Sequence, residues 1–145
     1  MDFAGYLYSN SFWSYDLLMS GRSCSVHSIN KKRKELGEFH HLYFDVRKDP
    51  IKFRQYLRIN IETFDYILCN VKSKLWKKMT NFIQNPISPE EKLVVTLRFL
   101  AVGTSFRTLV FSFRMGKSTV AAIVFKFKAI EFHIFSVYLQ LLYNF

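Results

Sequence analysis

The sequence predicts an all-α fold of short helices that end in a helix-turn-helix and follow a flexible N-terminal leader. After about residue 35, apolar residues recur at spacings of three and four, the period of an amphipathic helix. Asp49-Pro50 and Ser88-Pro89 each place a capping side chain before a proline, which is typical of a helix start. Gly103 and Gly116 stand where a helix would end.

Length and charge limit the function classes. A chain of 145 residues fits one domain, and 21 Lys and Arg against 11 Asp and Glu give a net charge of +10. Such a surface attracts polyanions, nucleic acid first and acidic membrane second. Cys24 and Cys69 show no paired spacing, which favours a reducing compartment, and Asp2 stands where a secretion signal needs positive charge.

Residues 1–34 lack a sustained period and are interpreted as the flexible leader, which ends in four adjacent cations. This run admits two interpretations: a solvated charge run, or a nuclear import signal or phosphate-contacting arm. Its members are Lys31, Lys32, Arg33 and Lys34.

A helical domain is expected over residues 35–128. Leu36, Phe39, Tyr43 and Val46 form one apolar stripe, and two further helices are expected after Asp49 and after Asn60, the second running from Ile61 to about Leu75.

The clearest helix start follows the connector 77–86. There Ser88 is the expected cap, Pro89 takes the first helical position, and Glu91 is placed to complete a capping box. This helix is expected to be buried and to end at Gly103.

The helix-turn-helix is predicted over about 104–127. Its first helix is expected at 106–113, and its second is expected to start at Lys117 or Ser118 and to cover Thr119 to about Phe127. Gly116 is expected to supply a positive φ at the turn. The second helix would enter the DNA major groove, with Lys117, Ser118 and Thr119 at its start near bases and phosphates. In the alternative interpretation Ser118 or Thr119 merely caps the helix and Gly116 merely turns the chain.

Charge segregation supports the DNA-binding interpretation, because residues 92–128 hold seven Lys or Arg and no Asp or Glu. The predicted DNA-binding residues are Arg107, Arg114, Lys117, Ser118, Thr119, Lys126 and Lys128. The remaining two cations of the seven are Lys92 and Arg98.

The residues from about Leu36 to Val124 resemble the N-terminal part of PIF/Harbinger-type transposases and the nuclease-like proteins derived from them. The resemblance rests on four motifs: SPEE at 88–91, LRFLA at 97–101, SFR at 105–107 and GKSTV at 116–120. It implies a nuclear, helical DNA-binding region that precedes a catalytic domain in which three carboxylates hold divalent metal ions. It also implies a separate Myb-like protein partner.

The chain departs from that family after Val124, where an apolar, aromatic stretch follows and ends at Phe145. The expectation is therefore a DNA-binding remnant without a catalytic domain, with no catalytic residue and no cofactor or metal site of its own. Adjacent His40 and His41 cannot both face one ion. A homo-oligomer is compatible with this interpretation.

Two other interpretations stay open. The chain could be a fragment of a full metal-dependent nuclease or transposase. Alternatively, it could be a helical protein-interaction or membrane-associated module in which the apolar tail 129–145 makes the contact. Glu131 and His133 and a length below about 20 apolar residues argue against a membrane-spanning tail.

Overall fold

The computed structural model describes residues 26–77 and 85–130, and these residues form helices and connecting turns without a β-strand. The all-α prediction is confirmed. We number the α-helices α1 to α8, with one π-helical segment, Phe39–Tyr43, between α2 and α3. The α-helices are α1 Ser28–Lys31, α2 Arg33–Leu36, α3 Phe44–Arg47, α4 Pro50–Leu57, α5 Ile61–Leu75, α6 Pro89–Val102, α7 Phe106–Phe113 and α8 Lys117–Ile130.

Local capping explains where the main helices begin and end. The Asp49 carboxylate accepts hydrogen bonds from the backbone N–H groups of Ile51 and Lys52, and Pro50 fills the first helical position of α4. Ser88 starts α6 in the same way by accepting from the Glu91 N–H at 3.1 Å. Gly103 ends α6 in the left-handed conformation, with φ 63°.

The predicted stripe from Leu36 to Val46 folds less regularly than its spacing suggests. Phe39 and Tyr43 are buried and their rings stack, but the backbone between them is π-helical. Leu36 is half exposed, because α2 ends there and the chain at Gly37 is extended. Spacings of three and four therefore predicted that Phe39 and Tyr43 are buried on one face, but they did not predict the irregular backbone or the helix end at Leu36.

One apolar core joins the helices. It centres on α6, which packs against α4, α5, α7 and α8 and whose residues 91–97 are all buried. Fully buried side chains from the other helices fill the spaces around it, so α6 is the central helix of the domain. The largest of these side chains are Tyr43, Phe53, Phe64, Phe113, Leu57 and Leu75.

The folded region begins earlier than residue 35. Residues 28–36, predicted in part as leader, form α1 and α2. Gly37 packs so closely that an added Cβ would clash with the Arg33 carbonyl oxygen and would lie 3.2 Å from that of Phe113. Arg114 Nη1 donates to the Ile29 carbonyl at 3.3 Å. The segment thus lies against the end of α7, while residues 1–25 lie outside the described residues.

In the described ranges, no single helix is long and apolar enough to cross a membrane. The pair α7 and α8 meets that length and composition together, but the chain bends by 111° between them. The tail from residue 131 onward lies outside the described residues.

Candidate nucleic-acid interface

The candidate interface is built on α7 and α8, which follow one another after a three-residue break. Ser105 caps α7 by accepting from the Thr108 N–H at 3.4 Å. The two helices meet at 111°, within the range of about 90–120° found for helix-turn-helix pairs. The predicted α7 bounds match the structure, and α8 begins at Lys117, one of the two predicted starts. Helix α8 is described as far as Ile130, beyond the predicted end near Phe127.

The prediction that Gly116 supplies the positive φ at the turn is wrong. Arg114 adopts the left-handed conformation instead, with φ 51° and ψ 52°, and Gly116 has no positive φ. The Val110 carbonyl accepts backbone N–H bonds from Arg114 and Met115, which closes the end of α7. Met115, 2% exposed, then anchors the turn in the core. The turn is therefore fixed at Arg114, two residues before the glycine.

Helix α8 has a buried and an exposed side. Val120, Ile123 and Val124 face the core, and α8 packs on both α6 and α7. The opposite side carries Ser118 and Lys126, both exposed. The helix is thus held on one face and open to a partner on the other.

Most of the predicted DNA-binding residues lie at the surface of this helix pair. Arg107 is exposed on α7, and Lys126 and Lys128 are exposed on the last turns of α8. Lys117 and Ser118 are exposed at the start of α8. Thr119 and Arg114 are half-buried, and the guanidinium of Arg114 is turned to the Ile29 carbonyl.

Two of the seven cations counted between residues 92 and 128 are used inside the protein. Lys92 is 5% exposed and its Nζ donates to the Leu75 carbonyl at 2.6 Å, at the end of α5. Arg98 donates to the Tyr56 carbonyl at 3.0 Å and lies over the Tyr56 ring at 4.3 Å. The basic surface is therefore formed by five cations rather than seven.

The cationic run at 31–34 is also divided by the fold. Arg33 donates to Glu91 Oε2 at 2.7 Å and to the Asn85 carbonyl at 3.1 Å, with 11% of its side chain exposed. Lys31, Lys32 and Lys34 are exposed. The nuclear import interpretation therefore concerns these three lysines.

Three carboxylates bind side chains of the folded domain, and one of them, Glu91, is buried. Glu91 is 2% exposed and pairs with Arg33, so the reciprocal half of the predicted capping box does not form and its Oε1 has no hydrogen-bond partner. Glu90 accepts from the Tyr43 hydroxyl at 2.8 Å, and Glu38 accepts from that of Tyr56 at 2.6 Å.

These surroundings shift the pKa values of one acid and two phenols. Burial raises the pKa of Glu91, partly offset by Arg33. Burial together with Glu90 raises the pKa of Tyr43, and burial together with Glu38 raises that of Tyr56. Within the described residues, no group of three or more His, Cys, Asp or Glu side chains could hold a metal ion.

Sequence reasoning missed two residues of the open face, Ala122 and Phe125. Ala122 is exposed and Phe125 is 53% exposed, next to the lysines already named. The signal was available, since positions 118, 122 and 125 share one helical face.

The chain is 37% identical over 82 residues to a protein named ALP1-like from Arabidopsis thaliana; the match covers 54% of this chain and 20% of that protein. The chain thus spans about a fifth of the length of this relative. No model of a known protein family matches the chain, and no solved structure matches it.

Identity at this level over 82 residues supports a common origin for the matched segment and a part of the ALP1-like protein. This common origin agrees with the resemblance to transposase-derived, nuclease-like proteins described above.

Proposed function

We propose that this chain binds double-stranded DNA through α8, as the N-terminal part of a Harbinger-type, transposase-derived nuclease that acts in the nucleus. The observation that carries the proposal is the open face of α8: it is bordered by exposed cations, and no acidic residue lies on α7 or α8. In a helix-turn-helix, the second helix of such a pair enters the major groove.

Three features support a groove-binding role over that of a plain helical hairpin. The 111° crossing projects α8 away from α7, and α6 holds its inner face. The side chains near its start, Ser118 and Ala122, are small, which allows close approach to a groove floor. Arg107, Lys126 and Lys128 border this surface and are suited to phosphate contacts.

The test is fluorescence anisotropy of the full chain with a labelled random-sequence duplex over a salt series. Binding should weaken linearly in log affinity against log salt. Lys126→Ala/Lys128→Ala should make that slope shallower by about 2, since each phosphate contact contributes about one.

The matched control is Lys52→Ala/Lys72→Ala, which removes the same charge from the exposed surfaces of α4 and α5. This control should leave the slope close to that of the wild type. Equal slopes for the two double variants would mean that binding follows net charge alone, and absence of binding at low salt would overturn the proposal.

The relative is much longer than the matched segment, which supports a DNA-binding segment that works as part of a longer protein. A longer protein of this type would add the metal-dependent nuclease domain and a Myb-like partner protein that the sequence resemblance implies. In that context the described residues bind DNA and contribute no metal ligand. The nuclear role also uses Lys31, Lys32 and Lys34 as import residues.

A further inference from the structure

Resting on the proposed function, we infer that Ala122 and Phe125 read the 5-methyl groups of thymine in the major groove. Ser118, Ala122, Phe125 and Ala129 are spaced by four, three and four residues and form one exposed stripe along α8. Three of the four are apolar. This stripe is the centre of the open face, and the lysines are at its edges.

The position of the lysines identifies the occupant as a polyanion. Lys126 lies on one flank of the stripe, beside Thr119, and Lys117 and Lys128 lie on the other. A helix in a major groove has phosphates on both sides and base edges beneath it. An apolar centre bordered by cations on both sides matches that arrangement.

Phe125 is positioned by a short aromatic series. Its ring meets Phe106 edge to face at 6.1 Å, and Phe106 stacks on Phe99 at 4.8 Å. The ring is supported on one side and 53% exposed on the other. Because this contact restricts the ring before binding, less side-chain freedom is lost when the apolar surface meets a ligand.

The chemistry of the groove selects the ligand group. Ala and Phe have no hydrogen-bonding group, so they cannot read the donors and acceptors of guanine, cytosine or adenine. The thymine methyl is the apolar feature of a major groove. Burial of one methyl against the stripe corresponds to about a fourfold gain in affinity.

The experiment is a competition assay with the full chain. A labelled random-sequence duplex is displaced by alternating poly(dA-dT) or by poly(dA-dU) of equal length, which differ in the 5-methyl group. For the wild-type protein, half-displacement of the labelled duplex should need less poly(dA-dT) than poly(dA-dU). The required concentration should be about fourfold lower for each methyl group contacted.

Two variants assign that preference to a residue. Phe125→Ala should reduce it while binding remains, and Phe111→Ala, which removes a 63% exposed ring from α7, should retain it. Circular dichroism and thermal unfolding check that both variants keep the wild-type fold.

The outcomes separate the two proposals. Binding of neither polymer would overturn the proposed DNA-binding function. Equal displacement by both polymers would leave that function standing and overturn the methyl readout. If Phe125→Ala retains the full methyl preference, Phe125 is not the reader, and the exposed ring serves a protein contact instead.

Discussion

At the scale of single residues, the Arg33–Glu91 pair links the start of the described chain to the start of α6. Its atoms lie 2.7 Å apart, and Glu91 is 2% exposed. Burial of a carboxylate is costly, and the attraction of Arg33 offsets part of that cost. His40 Nε2 lies 3.7 Å from the same oxygen, and burial together with Arg33 and Lys34 lowers its pKa, so the neutral ring is favoured there.

Arg33→Met should therefore lower the free energy of unfolding by about 3 kcal/mol at pH 7, because Glu91 stays buried without its partner. Arg33→Met/Glu91→Leu should recover most of that loss. Burial raises the pKa of Glu91 in the folded state, so its charge costs stability as the pH rises, and the deficit of the single variant should shrink towards pH 5.

Urea denaturation of the wild type and both variants at pH 5 and 7 measures these differences. A double variant no more stable than Arg33→Met would show that packing at these positions, and not the unpaired charge, decides the loss.

At the scale of the elements, two helices end on arginines in the left-handed conformation. Arg58 ends α4 with φ 61°, and Arg114 ends α7 with φ 51°. This conformation costs a residue with a Cβ about 1–2 kcal/mol, and glycine avoids that cost. Gly103, by contrast, ends α6 in the same conformation without it. The packing of the core, and not the position of a glycine, therefore decides which residue adopts the left-handed conformation at a helix end.

Arg58→Gly should raise the free energy of unfolding by about 0.5–1 kcal/mol, the difference between relief of strain and the added entropy of the unfolded chain. Arg114→Gly, at the turn of the candidate interface, should also raise the free energy of unfolding. It should weaken DNA binding, because a cation is removed. Thermal and urea unfolding, with anisotropy on the same samples, test both effects.

Gln55→Gly is the control, since it places glycine in the interior of α4 and should lose about 1 kcal/mol. A destabilised Arg58→Gly variant would contradict the strain argument.

At the scale of the whole molecule, Lys92 connects two helices. It lies on α6 and donates to the carbonyl of Leu75, the last residue of α5. Burial lowers the pKa of Lys92 to about 8, and Lys126 and Lys77 add to this effect while Glu91 opposes it. The folded domain therefore favours the neutral amine at alkaline pH.

Lys92 should therefore contribute stability that rises with pH from about 8 to 9.5. In that interval the unfolded chain holds the Lys92 proton and the folded chain releases it, so the free energy of unfolding of the wild type relative to Lys92→Met should increase by about 1 kcal/mol per pH unit. Lys92→Met should remove this rise. Urea titrations at pH 7.5, 8.5 and 9.5 check it, and parallel slopes for the two proteins would contradict it.

Local sequence signals predicted much of the fold. Asp49, Ser88 and Gly103 act as the caps that their types and positions indicate, because capping depends on neighbouring backbone groups alone. The apolar spacing of α5 likewise gave its bounds. The prediction for the turn was wrong because the glycine was expected to adopt the left-handed conformation. In the structure, Met115 is buried in the core, and Arg114 before it adopts that conformation instead.

Of the candidate interface, the sequence predicted a basic helix and the residues at its start, and their contact with DNA stays a prediction. It could not separate surface cations from internal ones. Lys92 and Arg98 belong to the same run as Lys126 and Lys128, yet they bind carbonyls of other helices. Such partners lie 17 and 42 residues away in the chain, beyond any local pattern.

The sequence by itself determined an all-helical domain, its main helix starts and its positive charge, since period, capping and composition are local or additive properties. The tertiary structure alone decided which charges remain at the surface, which carboxylates are buried, and which stripe of α8 faces outward. These depend on the order in which helices pack around α6, and packing brings together residues that no local spacing relates.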